Sequence, residues 1–148
     1  MGWAQRVDIS GGFQIELPVI FVPWEISESS LQAIFAEHPL RHVTHGYFTT
    51  QCVSPGGLTH ELGFHFHPRD GGILTELEFF RKSYTDLSTS YQEFQRHLET
   101  VFGPATLTVA GSEGFPSQTW RLPSANIVHF VQERFGPEEH VRIRRRAV

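Results

Sequence analysis

Two histidines placed two positions apart are the residues of this sequence best suited to chemistry. They lie in ELGFHFHPRDGG, residues 61–72, where large apolar residues alternate with other types as in a β-strand. The alternation places His65 and His67 on the face opposite the apolar one. Glu76 reaches the same face if the chain returns in a hairpin. Two imidazoles and a carboxylate are the ligands of a zinc site with an open position, or of a non-haem iron site.

The pairing within this hairpin can be predicted from the apolar residues. A four-residue loop over residues 68–71 pairs Gly63 with Glu76 and keeps the large apolar side chains on one face. His65 is then diagonal to Glu76. Two interpretations stay open: a metal site for Zn or Fe, and the polar outer face of an ordinary antiparallel sheet.

The letters GFHFH are similar to the Gly-x-His-x-His start of the cupin metal motif. In that motif a glutamate follows the second histidine by about four or five positions, where this sequence has Gly71 and Gly72. The later cupin element, a Pro-x-Gly followed closely by histidine, is missing as well. The resemblance therefore covers only this short segment.

A nucleophile and a base could be formed by Cys52 with His42 or His45. No cysteine-protease signature surrounds these residues, so a small hydrophobe is the simpler interpretation of Cys52. The sequence also lacks a glycine-rich phosphate loop, a dinucleotide fingerprint and a Ser-His-Asp order.

Paired carboxylates occur at Glu76 and Glu78 and at Glu138 and Glu139. The first pair shares one strand face and could serve acid–base chemistry. Solvated side chains are the simpler interpretation of both pairs.

The segment HVRIRRR, residues 140–146, concentrates basic side chains near the carboxyl end of the chain. On a strand, Arg142, Arg144 and Arg146 project together and form a basic ladder. This ladder could dock an acidic partner or RNA, or it could be an exposed strand balanced by glutamates. RNA is the weaker hypothesis, because no stacking-aromatic RNA motif accompanies the arginines.

A loop rich in turn-forming residues, GSEGFPSQTW, spans residues 111–120. Phe115 could be an exposed anchor for a partner, with Trp120 and Arg121 beside it, since aromatic residues and arginines are enriched in binding hot spots. Alternatively, Phe115 tucks under the sheet edge and Trp120 belongs to the core.

Two helices are predicted to support these segments. The first spans about Ser27 to His38, begins at the capping residue Ser27 and stops before Pro39. The second spans about Asp86 to Phe102, where apolar residues recur on one face, and it stops at Gly103.

Three strands are predicted after each helix, which gives the order α-β-β-β twice. The predicted strands, including a further one at the end, are His42–Cys52, Leu58–His67, Ile73–Lys82, Ala105–Ala110, Gln118–Leu122, Asn126–Arg134 and His140–Arg145. The stretch Phe13–Val22, split by Pro18, predicts an edge strand or a hairpin.

The predicted fold class is α+β: a curved antiparallel sheet with two helices on one face. We expect a single domain over residues 1–148, with halves 27–83 and 86–146 that repeat one topology. This layout is similar in outline to that of β-lactamase-inhibitor-like proteins and of several small bacterial immunity proteins. The resemblance is one of fold outline and rests on no shared motif.

Composition restricts the classes of function. The 148 residues are 39% hydrophobic, enough to bury a core without metals or disulfides. The net charge of −4 disfavours nucleic acid as a partner, and the single cysteine fits a reducing compartment. No apolar run has the length of a signal peptide or a membrane span, so we expect a cytoplasmic protein without membrane contact.

These features predict a non-enzymatic protein-binding module, immunity- or inhibitor-like, that contacts a protein partner through its open sheet face. The alternative is a metal-dependent enzyme that uses His65, His67 and Glu76 with Zn or Fe; otherwise no cofactor is expected. A homodimer could form through an edge near Ala105–Ala110 or through the carboxyl-terminal strand.

Overall fold

The computed structural model describes residues 8–81, 86–133 and 136–146. It contains two helices and a large antiparallel sheet, which confirms the predicted α+β class. The helices are α1 (Glu28–Ile34) and α2 (Leu87–Phe102), and a small sheet holds β1 (Gly12–Ile15) and β2 (Ile20–Pro23). The large sheet holds β3 (Arg41–Thr44), β4 (Tyr47–Val53), β5 (Thr59–Phe66), β6 (Leu74–Phe80), β7 (Leu107–Val109), β8 (Ser117–Arg121), β9 (Ala125–Glu133) and β10 (Pro137–Arg145). Two predicted strand ends, Lys82 and Arg134, lie outside the described residues.

The eight strands of the large sheet lie in the order β3-β4-β5-β6-β10-β9-β8-β7. Each half of the chain contributes a run of four consecutive strands, and the two runs join through their last strands, β6 and β10. The element order is therefore α-β-β-β-β twice, not the predicted α-β-β-β. The predicted curvature is not confirmed, because no sheet is strongly curled.

The missing strand lies within the stretch predicted as His42–Cys52, which is in fact the hairpin of β3 and β4. The chain reverses at His45-Gly46, where Gly46 has φ +73. A glycine in the left-handed region is the usual way to build so short a turn, because other residues are strained there.

The pairing of β5 with β6 differs from the prediction by two residues. His65 lies directly opposite Glu76, and Gly63 lies opposite Glu78. The loop is longer than predicted, because it contains a short 3-10 helix over Pro68–Asp70, and the strand is irregular between His65 and Phe66. A slip of two residues preserves the face of every side chain, so the predicted division into apolar and polar faces survives.

Both helices pack on the same face of the large sheet, which we call the inner face. Phe35 at the end of α1 contacts Phe64 with ring centroids 5.6 Å apart, and Phe94 of α2 lies 6.1 Å from His60. The small sheet covers the same face, where Phe13 contacts Phe79 at 5.3 Å. One hydrophobic cluster includes residues from both halves of the chain. The opposite side of the sheet, the outer face, carries His65 and His67.

The helix boundaries follow from capping. Ser27 caps α1 by accepting a hydrogen bond from the backbone of Ser30, and Asp86 caps α2 by accepting one from Ser88. Helix α1 ends at Ile34 and not at the predicted His38, because the chain tightens into turns before Pro39. Within the described ranges, no helix is both long and apolar enough to cross a membrane.

Candidate functional site

His65 lies on the outer face of β5, and His67 directly follows that strand and points to the same face. Their rings are stacked, with centroids 5.5 Å apart and planes 6° apart. Tyr47, opposite His65 on β4, stacks on that ring at 4.4 Å. Gly63 makes room for the tyrosine, because a Cβ at this position would lie 2.8 Å from the Tyr47 side chain. Stacking therefore orders both imidazoles. About a quarter of each side chain stays exposed, 22% for His65 and 27% for His67.

Two carboxylates of β6 face these imidazoles. Oε2 of Glu78 lies 2.8 Å from Nε2 of His65, and Oε2 of Glu76 lies 3.5 Å from Nε2 of His67. Only 12% of Glu76 and 14% of Glu78 is exposed, so this pair is not the solvated pair that the sequence suggested. These two histidines and two glutamates shield one another from solvent.

The charge state of Glu78 determines the tautomer of its partner. Burial alone would raise the pKa of Glu78, but the nearby imidazole of His140, 3.8 Å away, and the hydrogen bond from His65 outweigh this effect and lower the pKa to about 2. Glu78 is therefore an ionised acceptor, and Nε2 of His65 donates to it. In a neutral His65 this leaves the lone pair on Nδ1.

Arg144 of β10 lies beside the same cluster. Its Nη2 donates to both carboxylate oxygens of Asp70, at 3.0 and 3.1 Å, and its Nη1 lies 3.5 Å from Oε1 of Glu76. Thr75 donates to Asp70 at 2.6 Å and, together with Arg144, lowers the pKa of that carboxyl against the effect of burial. The two carboxylate oxygens of Glu76 thus have different neighbours: Oε1 faces Arg144, and Oε2 faces His67.

The three residues that the sequence proposed as metal ligands come together. His65, His67 and Glu76 each offer one ligand atom, and these atoms all lie within 4.8 Å of one another. Nε2 of His67 is buried and has no hydrogen-bond partner. The cluster can hold a divalent metal ion through three ligands, or it can act as a set of histidine–carboxylate pairs.

The outer face of β9 and β10 carries arginine and aromatic side chains. Arg142 of β10 lies opposite Glu78, but its guanidinium extends over the ring of Phe130 at 5.8 Å. Phe130 in turn stacks on His140 at 5.1 Å. Among the described residues, no carboxylate lies within ion-pair distance of Arg142 or Arg121. Neither guanidinium is therefore held in a close ion pair, although Arg142 is near enough to Glu78 to help lower the pKa of that carboxyl.

Apolar side chains adjoin these two cations across the strands β10, β9, β8 and β7. Arg142 lies opposite Val128, Val128 opposite Thr119, and Thr119 opposite Leu107. Leu107 and Val109 at the sheet edge are 43% and 49% exposed. We call this surface the arginine–apolar patch; it consists of Leu107, Val109, Thr119, Arg121, Val128, Phe130 and Arg142.

The predicted arginine ladder is only partly present. Arg142 and Arg144 lie on the outer face, but Arg146 follows the end of β10 and donates to the carbonyl of Leu122. Because β10 pairs with β6 and β9, Arg142 and Arg144 lie in the middle of the large sheet. For the same reason the carboxyl-terminal strand offers no free edge for a homodimer, whereas β7 is an edge strand as predicted.

The other predicted anchors are not surface groups. Trp120 is fully buried and donates its indole hydrogen to the carbonyl of Gly103 at 2.8 Å. Phe115 is partly buried and packs against Tyr91, with ring centroids 5.1 Å apart. The inner face accounts for both aromatic residues, and only Arg121 of this group points to the outer face.

A buried polar network was missed from the sequence. Glu139 is 7% exposed; it accepts a hydrogen bond from Ser90 and lies 2.5 Å from Nε2 of His129. Nδ1 of His129 contacts Gln95 at 2.8 Å. Glu139 is therefore a core residue, not a solubilising one. Glu139 lies two positions before the apolar Val141 on the same strand, and residues two apart share a face. This spacing is the signal that could have revealed its burial.

The single cysteine pairs with neither of the predicted histidines. Sγ of Cys52 lies 3.8 Å from Nε2 of His60 and 3.6 Å from Oγ of Ser54, all within the core. Burial raises the pKa of Cys52 to about 11 and lowers that of His60 to about 4. A protonated, buried thiol is a poor nucleophile, so this group is structural.

No protein-family model matches the sequence, and no curated protein is similar to it. A solved structure that resembles the fold is that of a DUF4309 family protein, YjgB, from Bacillus subtilis. The two chains are 13% identical with a TM-score of 0.44, and the likeness covers 81% of this chain and 78% of that one.

Proposed function

We propose that this protein is a non-enzymatic binding module that contacts a protein partner through the arginine–apolar patch. The observation that carries the proposal is the placement of two cations outside any close ion pair, Arg121 and Arg142, on a face that also carries half-buried Val128 and Phe130 and the exposed Leu107 and Val109. We also expect the module to act in the cytoplasm, since its one cysteine forms no disulfide.

The composition of the patch supports this function. Arginine and aromatic residues are enriched at the centres of protein interfaces, whereas lysine and glutamate are depleted there. The patch contains two arginines, one phenylalanine and three aliphatic residues on a continuous antiparallel sheet. Such a surface needs little reorganisation on binding, which lowers the entropic cost of association.

The chemistry of the patch suggests the chemistry of the partner. A carboxylate that reaches Arg142 replaces contacts with water by a charge-assisted hydrogen bond, which is stronger than a neutral one. Leu107 and Val109 favour apolar side chains beside that carboxylate. The proposed partner is therefore a folded protein with an apolar surface bordered by Asp or Glu.

Site-specific photo-crosslinking tests the location of the interface. A photoreactive amino acid is placed at Thr119, in the middle of the patch, in cells that express the protein. The matched control carries the same group at Gln92, which is exposed on α2. We expect one discrete crosslinked protein from position 119 that is absent from position 92. Equal crosslinking from both positions, or none from 119, would contradict the proposal.

An inhibitor-like or immunity-like role is a specific form of this proposal. In that case the crosslinked partner is an enzyme or a toxin, and its activity falls in proportion to the fraction bound. A partner whose activity is unchanged at saturation would leave the binding module in place but would exclude the inhibitory role.

A metal-dependent enzyme is the second candidate, and the convergence of His65, His67 and Glu76 favours it. Catalysis also requires a concave site for a substrate next to the metal. Three cavities lined by described residues do not include these side chains; one of them, of about 260 Å³, lies between α1 and Phe48. Turnover by the zinc- or iron-loaded protein that is lost in Glu76→Gln would favour this candidate over the binding module.

A further inference from the structure

We propose that His65, His67 and Glu76 form a binding site for a divalent transition-metal ion, of the zinc or iron(II) class, on the outer face of the sheet. The site shares no residue with the arginine–apolar patch, and the inference stands whether or not that patch binds a protein. It requires only metal binding and no catalytic activity.

The geometry of His67 and Glu76 carries the inference furthest. Their facing atoms, Nε2 and Oε2, are 3.5 Å apart. This is longer than a normal hydrogen bond between nitrogen and oxygen. It is close to the edge of a tetrahedron, about 3.3 Å, for ligands that lie 2.0–2.1 Å from a zinc ion. A metal between the two atoms would therefore need only a small displacement of either side chain.

The same nitrogen of His67 makes no hydrogen bond, although Oε2 of Glu76 lies 3.5 Å away. Nε2 of His67 is buried and has no hydrogen-bond partner among the described residues. A buried polar atom without a hydrogen bond destabilises the folded state. An imidazole nitrogen that lacks a donor can be satisfied by a metal ion, which binds the neutral form of the ring.

The surroundings of His65 are those of a metal ligand held by a second residue. Its Nε2 is bonded to Glu78 at 2.8 Å, and metal-binding histidines usually give their other nitrogen to a carboxylate in this way. The carboxylate fixes the orientation of the ring. Glu76 is similarly oriented, because its other oxygen faces Arg144.

The donor set indicates the class of metal. Two imidazoles and one carboxylate suit zinc with an open fourth position, and they also suit iron(II) in the two-histidine, one-carboxylate arrangement. The two histidines and the glutamate project away from the helices, so the open coordination position faces outward, toward solvent or a ligand.

The test uses the full-length, untagged protein after removal of metals by a chelator. Zn²⁺ is titrated by calorimetry, and Co²⁺ is titrated in parallel as a spectroscopic probe of coordination geometry. We expect one strong site per chain, with a visible Co²⁺ spectrum of four-coordinate intensity that Zn²⁺ abolishes. His67→Ala and Glu76→Gln should each weaken Zn²⁺ binding by more than about 10-fold, because loss of even an orienting residue often costs 10–100-fold.

Two further variants make the result decisive. Glu78→Gln removes the residue that holds His65 and should weaken binding by less than removal of a ligand does. His38→Ala removes an exposed histidine on another part of the surface and should leave the affinity unchanged. Binding that is weak and spread over several sites, or that falls equally in His38→Ala and His67→Ala, would overturn the proposal. Circular dichroism of each variant excludes loss of folding as the cause.

Discussion

Glu139 is the residue whose removal should be most damaging, because it satisfies two buried partners at once. Its carboxylate contacts Ser90 and His129, and the side chain of His129 is fully buried. Glu139→Ala leaves both groups without their partner in a dry environment. We expect the free energy of unfolding to fall by about 3–5 kcal/mol, measured by urea denaturation.

The neighbouring Glu138 provides a matched control for this prediction. Its side chain is 41% exposed and lies 3.5 Å from His140. Because exposed ion pairs contribute little, Glu138→Ala should change stability by no more than about 0.5–1 kcal/mol. Equal effects of the two substitutions would show that Glu139 is not part of a buried network.

His60 should make the stability of the protein depend on pH. Burial lowers its pKa from 6.5 to about 4, so the folded state binds fewer protons than the unfolded state between these values. The stabilising effect of the neutral ring is complete above pH 6.5 and is lost as the pH falls toward 4. The loss amounts to about 3 kcal/mol, since one pKa unit corresponds to about 1.4 kcal/mol.

The variant His60→Gln isolates this contribution, because glutamine does not titrate. Urea denaturation at pH 7 and at pH 4 gives the loss of stability for each protein. We expect the loss to be smaller by about 3 kcal/mol in His60→Gln than in the unmodified protein, and unchanged in His38→Gln. Identical losses in all three proteins would contradict the assignment.

At the scale of the elements, Gly63 of β5 allows the Tyr47 side chain of the neighbouring strand β4 to lie across it. A methyl group at this position would lie 2.8 Å from the side chain of Tyr47, which stacks on His65. Gly63→Ala should therefore displace the tyrosine and destabilise the protein by about 1–3 kcal/mol, measured by urea denaturation.

A double-mutant cycle separates this clash from a direct effect on the strand. In a Tyr47→Ala background there is no ring to displace, and alanine is better than glycine inside a strand. Gly63→Ala should then be neutral or slightly stabilising. The same loss of stability in both backgrounds would mean that the glycine is required for a reason other than the tyrosine.

At the scale of the whole molecule, we expect both halves to unfold together. The large sheet is continuous across β6 and β10, and one hydrophobic cluster includes Leu31 of α1 and Leu98 of α2. Far-ultraviolet circular dichroism and tryptophan fluorescence should therefore give coincident transitions. Leu31→Ala should shift both curves equally, with a loss of about 2–5 kcal/mol. Two separated transitions would show that the halves are independent units.

Much of this architecture could be predicted because it follows from local patterns. The helix from Asp86 onward and the two faces of β5 depend on apolar spacing and capping, which are visible in the sequence. The hairpin at His45-Gly46 was missed because a single glycine is a weak turn signal beside the apolar residues that flank it. The pairing of β5 with β6 was wrong by two residues, because a loop with its own 3-10 helix is longer than the turn that the apolar pattern suggested.

In the candidate site, too, the features that follow from local patterns could be predicted and those that depend on strand order could not. His65, His67 and Glu76 could be placed together because alternation alone determines the face of each. The burial of Trp120 and Glu139, and the position of the arginines in the middle of the sheet, depend on which strands become neighbours. That order is determined by the pairing of β6 with β10, two strands far apart in the sequence.

The measurement that tests the proposed function most directly is the affinity between the partner identified by crosslinking, in purified form, and a variant of this protein in which the charges of the arginine–apolar patch are reversed. Arg121→Glu with Arg142→Glu should weaken binding by at least about 10-fold, which corresponds to about 1.4 kcal/mol. The control is Arg96→Glu, which reverses an exposed charge on α2 and should leave the affinity unchanged. Unchanged affinity in the double variant, with a loss in Arg96→Glu, would place the interface on the helices and contradict the proposal.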